Sequence, residues 1–169
     1  QSFYANSGIL GKYSIKQWSS DEGLPQNSIY DIAQTKDGYL WIATINGLVR
    51  FDGYQFVTYN TSNTKSFKTD RIRSVAADSN NGLWIGTWDG DIVYYKDNRF
   101  NLFSNKLLEL DTSIPINQIK VDKFSTIWFS TEKGVIRYKK NVSKYYPITN
   151  YDKGIHAQRV TCINVYNPN

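Results

Sequence analysis

The sequence predicts an all-β fold, a β-propeller fragment of about three four-stranded antiparallel blades plus two orphan strands. Three observations predict it. A tryptophan phrase recurs as Leu40-Trp41-Ile42-Ala43-Thr44, Leu83-Trp84-Ile85-Gly86-Thr87 and Ile127-Trp128-Phe129-Ser130-Thr131, with the tryptophans 43 and 44 residues apart. A glycine follows each Thr by three residues, at Gly47, Gly90 and Gly134. The tryptophan strand is apolar on both faces, so its sheet is covered on both sides rather than half solvated. Antiparallel four-stranded units covered on both sides, repeating at this period, are propeller blades.

Each repeat divides into strands A to D in the same order. Residues 12–18 contain Tyr13 to Trp18, an apparent outer strand whose own blade is missing. Blade 1 spans 27–60, blade 2 spans 70–104 and blade 3 spans 114–147. Strand A is Ser28 to Gln34, Arg71 to Ala77 and Pro115 to Val121, marked by aliphatics nine and twelve residues before each tryptophan (Ile32, Val75, Ile119; Ile29, Ile72, Ile116). Strand B carries the tryptophan. Its small residue two positions on (Ala43, Gly86, Ser130) leaves room for a neighbouring blade's bulky side chain. Asn46-Gly47 and Asp89-Gly90 predict tight B–C hairpins with positive φ at both turn positions, and Lys133-Gly134 a looser one. Strand C runs from Leu48, Ile92 and Val135. Turns at Asp52-Gly53, Asp97-Asn98 and Lys140-Asn141 lead into strand D. Val160 and Ile163 continue the aliphatic series, so 158–166 reads as the first strand of a further blade, with Cys162 as a small core residue in it. Trp41, Trp84 and Trp128 are expected buried at equivalent positions.

Composition excludes several functions. The chain has 169 residues, 40% hydrophobic and 21% charged, within the range of a globular domain. The net charge of +5 is spread in pairs such as Lys139-Lys140 rather than along one stripe, which argues against nucleic acid. No apolar run approaches the length of a membrane helix, so no membrane contact is expected. The chain opens on Gln1 without any Met and reads as a processed or excised segment. One His (His156) and one Cys cannot build a zinc site, and the acids share no calcium-loop spacing, so no metal and no cofactor are expected.

The phrase Asp-Gly-Tyr-Leu-Trp-Ile-Ala-Thr-Ile-Asn-Gly-Leu-Val-Arg-Phe-Asp-Gly at 37–53, preceded by Glu22-Gly23-Leu24-Pro25-Gln26-Asn27-Ser28-Ile29, resembles the two-component-regulator propeller repeat. That repeat occurs in the periplasmic sensor regions of bacterial hybrid histidine kinases, Bacteroides-like ones especially. The second copy matches better at strand B but has Asp91 where an aliphatic is usual, and the third is degenerate at Phe129 and Ser130. The resemblance implies a non-catalytic, periplasmic sensor module of a hybrid two-component receptor whose usual ligands are oligosaccharides. The full-length protein would be a histidine kinase.

Candidate binding residues lie on the face with the D–A loops and B–C turns: Asn27, Asn46, Arg71, Trp88, Asp89, Lys133 and Arg159. Trp88 is not required by the repeat, since Ile45 and Glu132 hold its place elsewhere. It can stack on a sugar or simply cover a neighbouring loop. Arg71 and Arg159 stand two repeats apart and can hold an anion bidentately or pair with nearby acids. A hydrolase or lyase propeller, and a purely structural spacer, are the rival functions. Three blades do not close a ring, so the expected partners are the remaining blades of the same receptor or a second copy.

Overall fold

The computed structural model describes residues 16–103, 114–148 and 160–164, and among them twelve strands form three four-stranded antiparallel sheets. Blade 1 comprises β1 Asp31–Gln34, β2 Leu40–Thr44, β3 Gly47–Phe51 and β4 Phe56–Tyr59. Blade 2 comprises β5 Ile72–Ala77, β6 Leu83–Thr87, β7 Ile92–Lys96 and β8 Arg99–Phe103. Blade 3 comprises β9 Ile116–Val121, β10 Ile127–Thr131, β11 Gly134–Lys139 and β12 Val142–Pro147. Each sheet is a simple meander in chain order. Among the described residues no helix is long and apolar enough to cross a membrane.

The core lies between sheets. Trp41, Ala43 and Leu48 of blade 1 pack with Ile72, Val75 and Tyr95 of blade 2. Trp84 of blade 2 packs with Ile116, Ile119, Phe129 and Tyr138 of blade 3. The small residue two positions after Trp41 and Trp84 receives the next blade's strand A, as the sequence predicts. A Cβ on Gly86 would stand 2.6 Å from Ile116 Cγ2 and 3.2 Å from Ile119 Cδ1. The strand-A aliphatics are buried at Ile72, Ile116, Val75 and Ile119, but their counterparts Ile29 and Ile32 are 49% and 54% exposed, where no sheet precedes them among the described residues. At the other end Trp128 is half-buried, contrary to the expectation of three equally buried tryptophans. No described sheet covers its outer side.

The blades are also tied edge to edge through strand A. Asp31 Oδ2 accepts from Ser74 Oγ at 2.8 Å and from the Val75 amide at 3.0 Å. Ser74 Oγ in turn accepts from the Ile119 amide at 2.9 Å. Gln118 Oε1 accepts from the Ile163 amide at 2.7 Å, and Asn117 Nδ2 donates to the Val160 carbonyl at 2.8 Å. Residues 160–163 therefore dock where the next strand A would lie, in repeat register. They are not a regular strand, because no strand B lies beside them among the described residues, and Cys162 is exposed rather than in a core. Residues 16–18 are likewise not a strand, and 12–15 lie outside the described residues. Trp18 instead stacks edge-on against Phe51 at 5.1 Å, beside the Leu24–Ile42–Val49 cluster that closes part of blade 1's open face.

The hairpins differ from expectation in type. Gly47 and Gly90 have φ of 128° and 86°, but Asn46 and Asp89 are not among the positive-φ residues, so the B–C turns are not the mirror-image turns expected. Thr44 pairs with Gly47 across a two-residue loop, and the Thr side chain clamps the turn: Thr44 Oγ1 donates to the Gly47 carbonyl at 2.7 Å and accepts from the Asn46 amide at 3.2 Å. Thr131 does the same for Lys133 and Gly134, whose φ is not positive. Thr87 Oγ1 instead accepts from the Asp91 amide at 2.9 Å, so each repeat's Thr hydroxyl bonds within its own B–C turn. Consecutive left-handed pairs occur at the C–D turns instead, at Asp97-Asn98 (50°, 59°) and Lys140-Asn141 (49°, 63°).

Candidate functional site

Strand A of blade 2 carries an extra residue at its entry. Ile72 pairs with Thr87 and Ser74 with Gly86, so the register shifts by one residue at Arg73. Strand β9 repeats the feature, with Asn117 left over between Ile116 and Gln118. Such a bulge re-aims a side chain. Here it places the Arg73 guanidinium 3.9 Å from the centroid of the Trp88 ring, while that of Arg71 lies at 5.5 Å. Tyr30, at the same repeat position in blade 1, meets Trp88 edge-on at 5.6 Å and 79°. Two cations therefore approach one indole, each such contact contributing about 0.5–2 kcal/mol according to its desolvation.

The polar groups of this cluster are partly committed. The Trp88 amide donates to the Arg71 carbonyl at 3.0 Å, anchoring the B–C turn to the start of strand A. Arg71 Nη1 meets Asp89 Oδ1 at 3.4 Å, with both side chains about half exposed. An ion pair so exposed contributes only about 0–1 kcal/mol, so an incoming ligand can displace it at little cost. Trp88 Nε1 is buried and has no hydrogen-bond partner in the protein. Beside the cluster, Asp91 replaces the usual aliphatic and is buried, and Lys68 Nζ pairs with its Oδ1 at 2.9 Å.

Of the residues expected from sequence, the structure brings Arg71, Trp88 and Asp89 together. Asn27 is engaged elsewhere, its Oδ1 accepting from the Ser20 amide at 2.8 Å. Asn46 Nδ2 donates to the Pro25 carbonyl at 3.3 Å. Both fasten the leading segment to blade 1. The Lys133 carbonyl accepts from Tyr145 Oη at 2.7 Å and from the Ile148 amide at 2.9 Å, which holds blade 3's own turn. Arg159 lies outside the described residues. Tyr30 and Arg73 were missed. Their signal is their shared column: the residue following the first strand-A aliphatic is Tyr30, Arg73 and Asn117, and in blades 2 and 3 the register shifts at that position.

The repeat geometry and the Trp88 cluster can be set beside known proteins. The two component regulator propeller family matches at residues 23–46 and 66–89, the two copies nearest its pattern by sequence. The chain carries two-component-regulator propeller repeats. Histidine kinase P4 of Formosa agariphila is 34% identical over 161 residues, an alignment covering 90% of this chain and 12% of that protein. Among solved structures, the extracellular domain of BT3049 of B. thetaiotaomicron, assigned as a hybrid two component system, superposes with a TM-score of 0.67 at 25% identity, covering 81% of this chain and 19% of that one. The extracellular domain of BT4673 from the same organism has a TM-score of 0.66 at 17% identity, a likeness of fold alone, covering 81% and 18%. The propeller chain thus spans a small part of the relatives that it matches, and what it resembles in the solved ones is part of an extracellular domain.

Proposed function

We propose that this chain is a non-catalytic, periplasmic sensor module of a hybrid two-component receptor, whose full-length protein is a histidine kinase, and that it contributes to recognition of an oligosaccharide-like ligand. The observation that carries the reading is Trp88, held in a B–C turn beside the guanidiniums of Arg71 and Arg73 with an indole N–H that has no partner in the protein. An indole offers a face to sugar C–H groups, and guanidinium edges donate to hydroxyl, carboxylate or sulfate oxygens. What further supports it is the likeness to extracellular domains of two-component systems and to a protein named as a histidine kinase. Signal transmission on this reading runs through the strand-A hydrogen bonds that link each blade to the next.

The test is calorimetric titration of the whole extracytoplasmic region with a panel of oligosaccharides, beside a Trp88→Ala variant. Saturable heat that is lost or weakened at least tenfold in the variant is the expected result. Binding that Trp88→Ala leaves unchanged places recognition elsewhere, and turnover of a glycan in the same cell would make the chain an enzyme.

A further inference from the structure

Each blade carries a row of four side chains across the tryptophan face of its sheet, one from each strand. Strand pairing defines the row: Ala33, Trp41, Arg50 and Val57 in blade 1, and Ala76, Trp84, Tyr94 and Asn101 in blade 2. In blade 3 the same row reads Lys120, Trp128, Arg137 and Lys144. Three cations therefore border a tryptophan whose counterparts have one or none. Arg137 and Lys144 are direct cross-strand partners, and like charges so placed destabilise a sheet. In blade 1 the single arginine lies against rings, its guanidinium 4.5 Å from Tyr39 and 5.9 Å from Tyr59. In blade 3, Lys144 meets only the exposed Tyr146 ring, at 5.0 Å, and none of the three cations forms an ion pair among the described residues. The acid of this neighbourhood, Asp122, spends Oδ2 on the Trp128 indole and Oδ1 on the Phe124 and Thr126 amides.

This face is a seam and not an outer wall. Residues 160–163 lie along its inner edge as a following strand A does. The Val160 amide donates to the Thr131 carbonyl at 3.2 Å, and Gln118, which shares the face with Lys120, accepts from the Ile163 amide at 2.7 Å. Val160 and Ile163 are half-buried there, while Thr161 and Cys162 are exposed. A sheet built on that strand comes down on the cationic row. Covering charges without opposite charges to meet them is strongly unfavourable, so the aliphatic and aromatic closure of the first two seams does not suffice here. We propose that this face is a docking surface for an acidic protein segment, the sheet that continues from residues 160–163, whose carboxylates pair with Lys120, Arg137 and Lys144 around Trp128. Directly opposed residues of neighbouring strands stand about 4.5–5.5 Å apart, so carboxylates along a facing row match these cations one to one. The first two seams are held by apolar burial and this one by charge, which makes it the seam that salt can part. The proposal does not rest on the sensor reading, and either can fail without the other.

The test is acetylation footprinting of lysine amines on the intact extracytoplasmic region, read residue by residue by mass spectrometry. Lys36 and Lys65, exposed and without an ion pair among the described residues, serve as internal controls. At about 0.05 M NaCl, Lys120 and Lys144 should react about fivefold more slowly than the controls; at about 1 M, where the screening length shrinks to about 3 Å, the difference should fall below about twofold. Lys144→Glu should repel the facing carboxylates and release Lys120 to the control rate at low salt. Should that variant not fold, the salt dependence of the parent decides alone. Lysines as reactive as the controls at low salt overturn the proposal, because the face is then open to solvent. Equal protection at both salt concentrations overturns it as well, because the cover is then held without charge, and so does a Lys120 that stays protected in folded Lys144→Glu. Protection that vanishes on dilution of the protein makes the occupant a second copy and likewise overturns it.

Discussion

At the seam of blades 1 and 2, the Trp41 indole N–H is satisfied by Thr35, and Arg50 lies over Tyr39 at 4.5 Å with its guanidinium still 6.0 Å from the Trp41 ring. At the seam of blades 2 and 3, Tyr94 takes the place of that arginine and the Asp78 carboxylate with it, so Trp84 is buried by Phe103, Phe129 and Tyr138 yet left unbonded beside a cavity. At the outer side of blade 3, Trp128 keeps its bond to Asp122 but loses its cover. Hydrogen bonding and burial of the same tryptophan are therefore set separately. The first depends on residues within the blade, the second on whether another blade stands against it.

Truncation of the tryptophans should break this comparison most visibly. Trp41→Ala and Trp84→Ala are each expected to destabilise the intact protein by about 3–5 kcal/mol, by loss of burial and the cavity left behind. In the isolated 169-residue chain Trp128→Ala should cost clearly less than either, and chemical denaturation of the three variants decides it. Equal costs there would mean that Trp128 is covered after all.

Next in size is Gly86→Ala, expected to cost about 1–3 kcal/mol, because its new methyl meets Ile116 across the seam. The equivalent positions Ala43 and Ser130 already carry a Cβ, so Ala43→Gly should be the milder change. A neutral Gly86→Ala in thermal unfolding would show that the second seam yields where the first does not.

The fold was legible because the repeat encodes it redundantly. Trp, Thr and Gly fall at fixed offsets, and the smallness of Gly86 announces a neighbour before any neighbour is seen. The turn chemistry was less legible, since Asn46-Gly47 spells a mirror-image turn by composition while the Thr44 hydroxyl selects another geometry with positive φ at the glycine alone. Half of the candidate site was readable, because Trp88 departs from its column. Arg73 was not, since its orientation depends on a ladder irregularity that a strand pattern does not reveal. Trp128 misled because burial belongs to the assembly and not to the residue.

The smallest effect expected is one of pH. Burial pushes the Asp122 carboxyl up, but the Thr126 amide, the Trp128 indole and the Phe124 amide that donate to it outweigh this and hold it below its ordinary 3.8. A carboxyl lowered by folding stabilises fully above its unfolded value and loses that contribution as pH falls through the folded one. Asp122→Asn should therefore flatten the acid side of the stability curve below about pH 4 while leaving its shape at neutral pH unchanged. A variant whose loss of stability on acidification matches the parent would remove Asp122 from the account.

The claim that these sheets are consecutive blades, completed only by neighbours, is tested most directly by the state of the 169-residue chain in solution. Size-exclusion chromatography with light scattering should find it self-associating, its uncovered faces carrying Ile32 and Trp128. A monodisperse monomer near 19.5 kDa would contradict that claim.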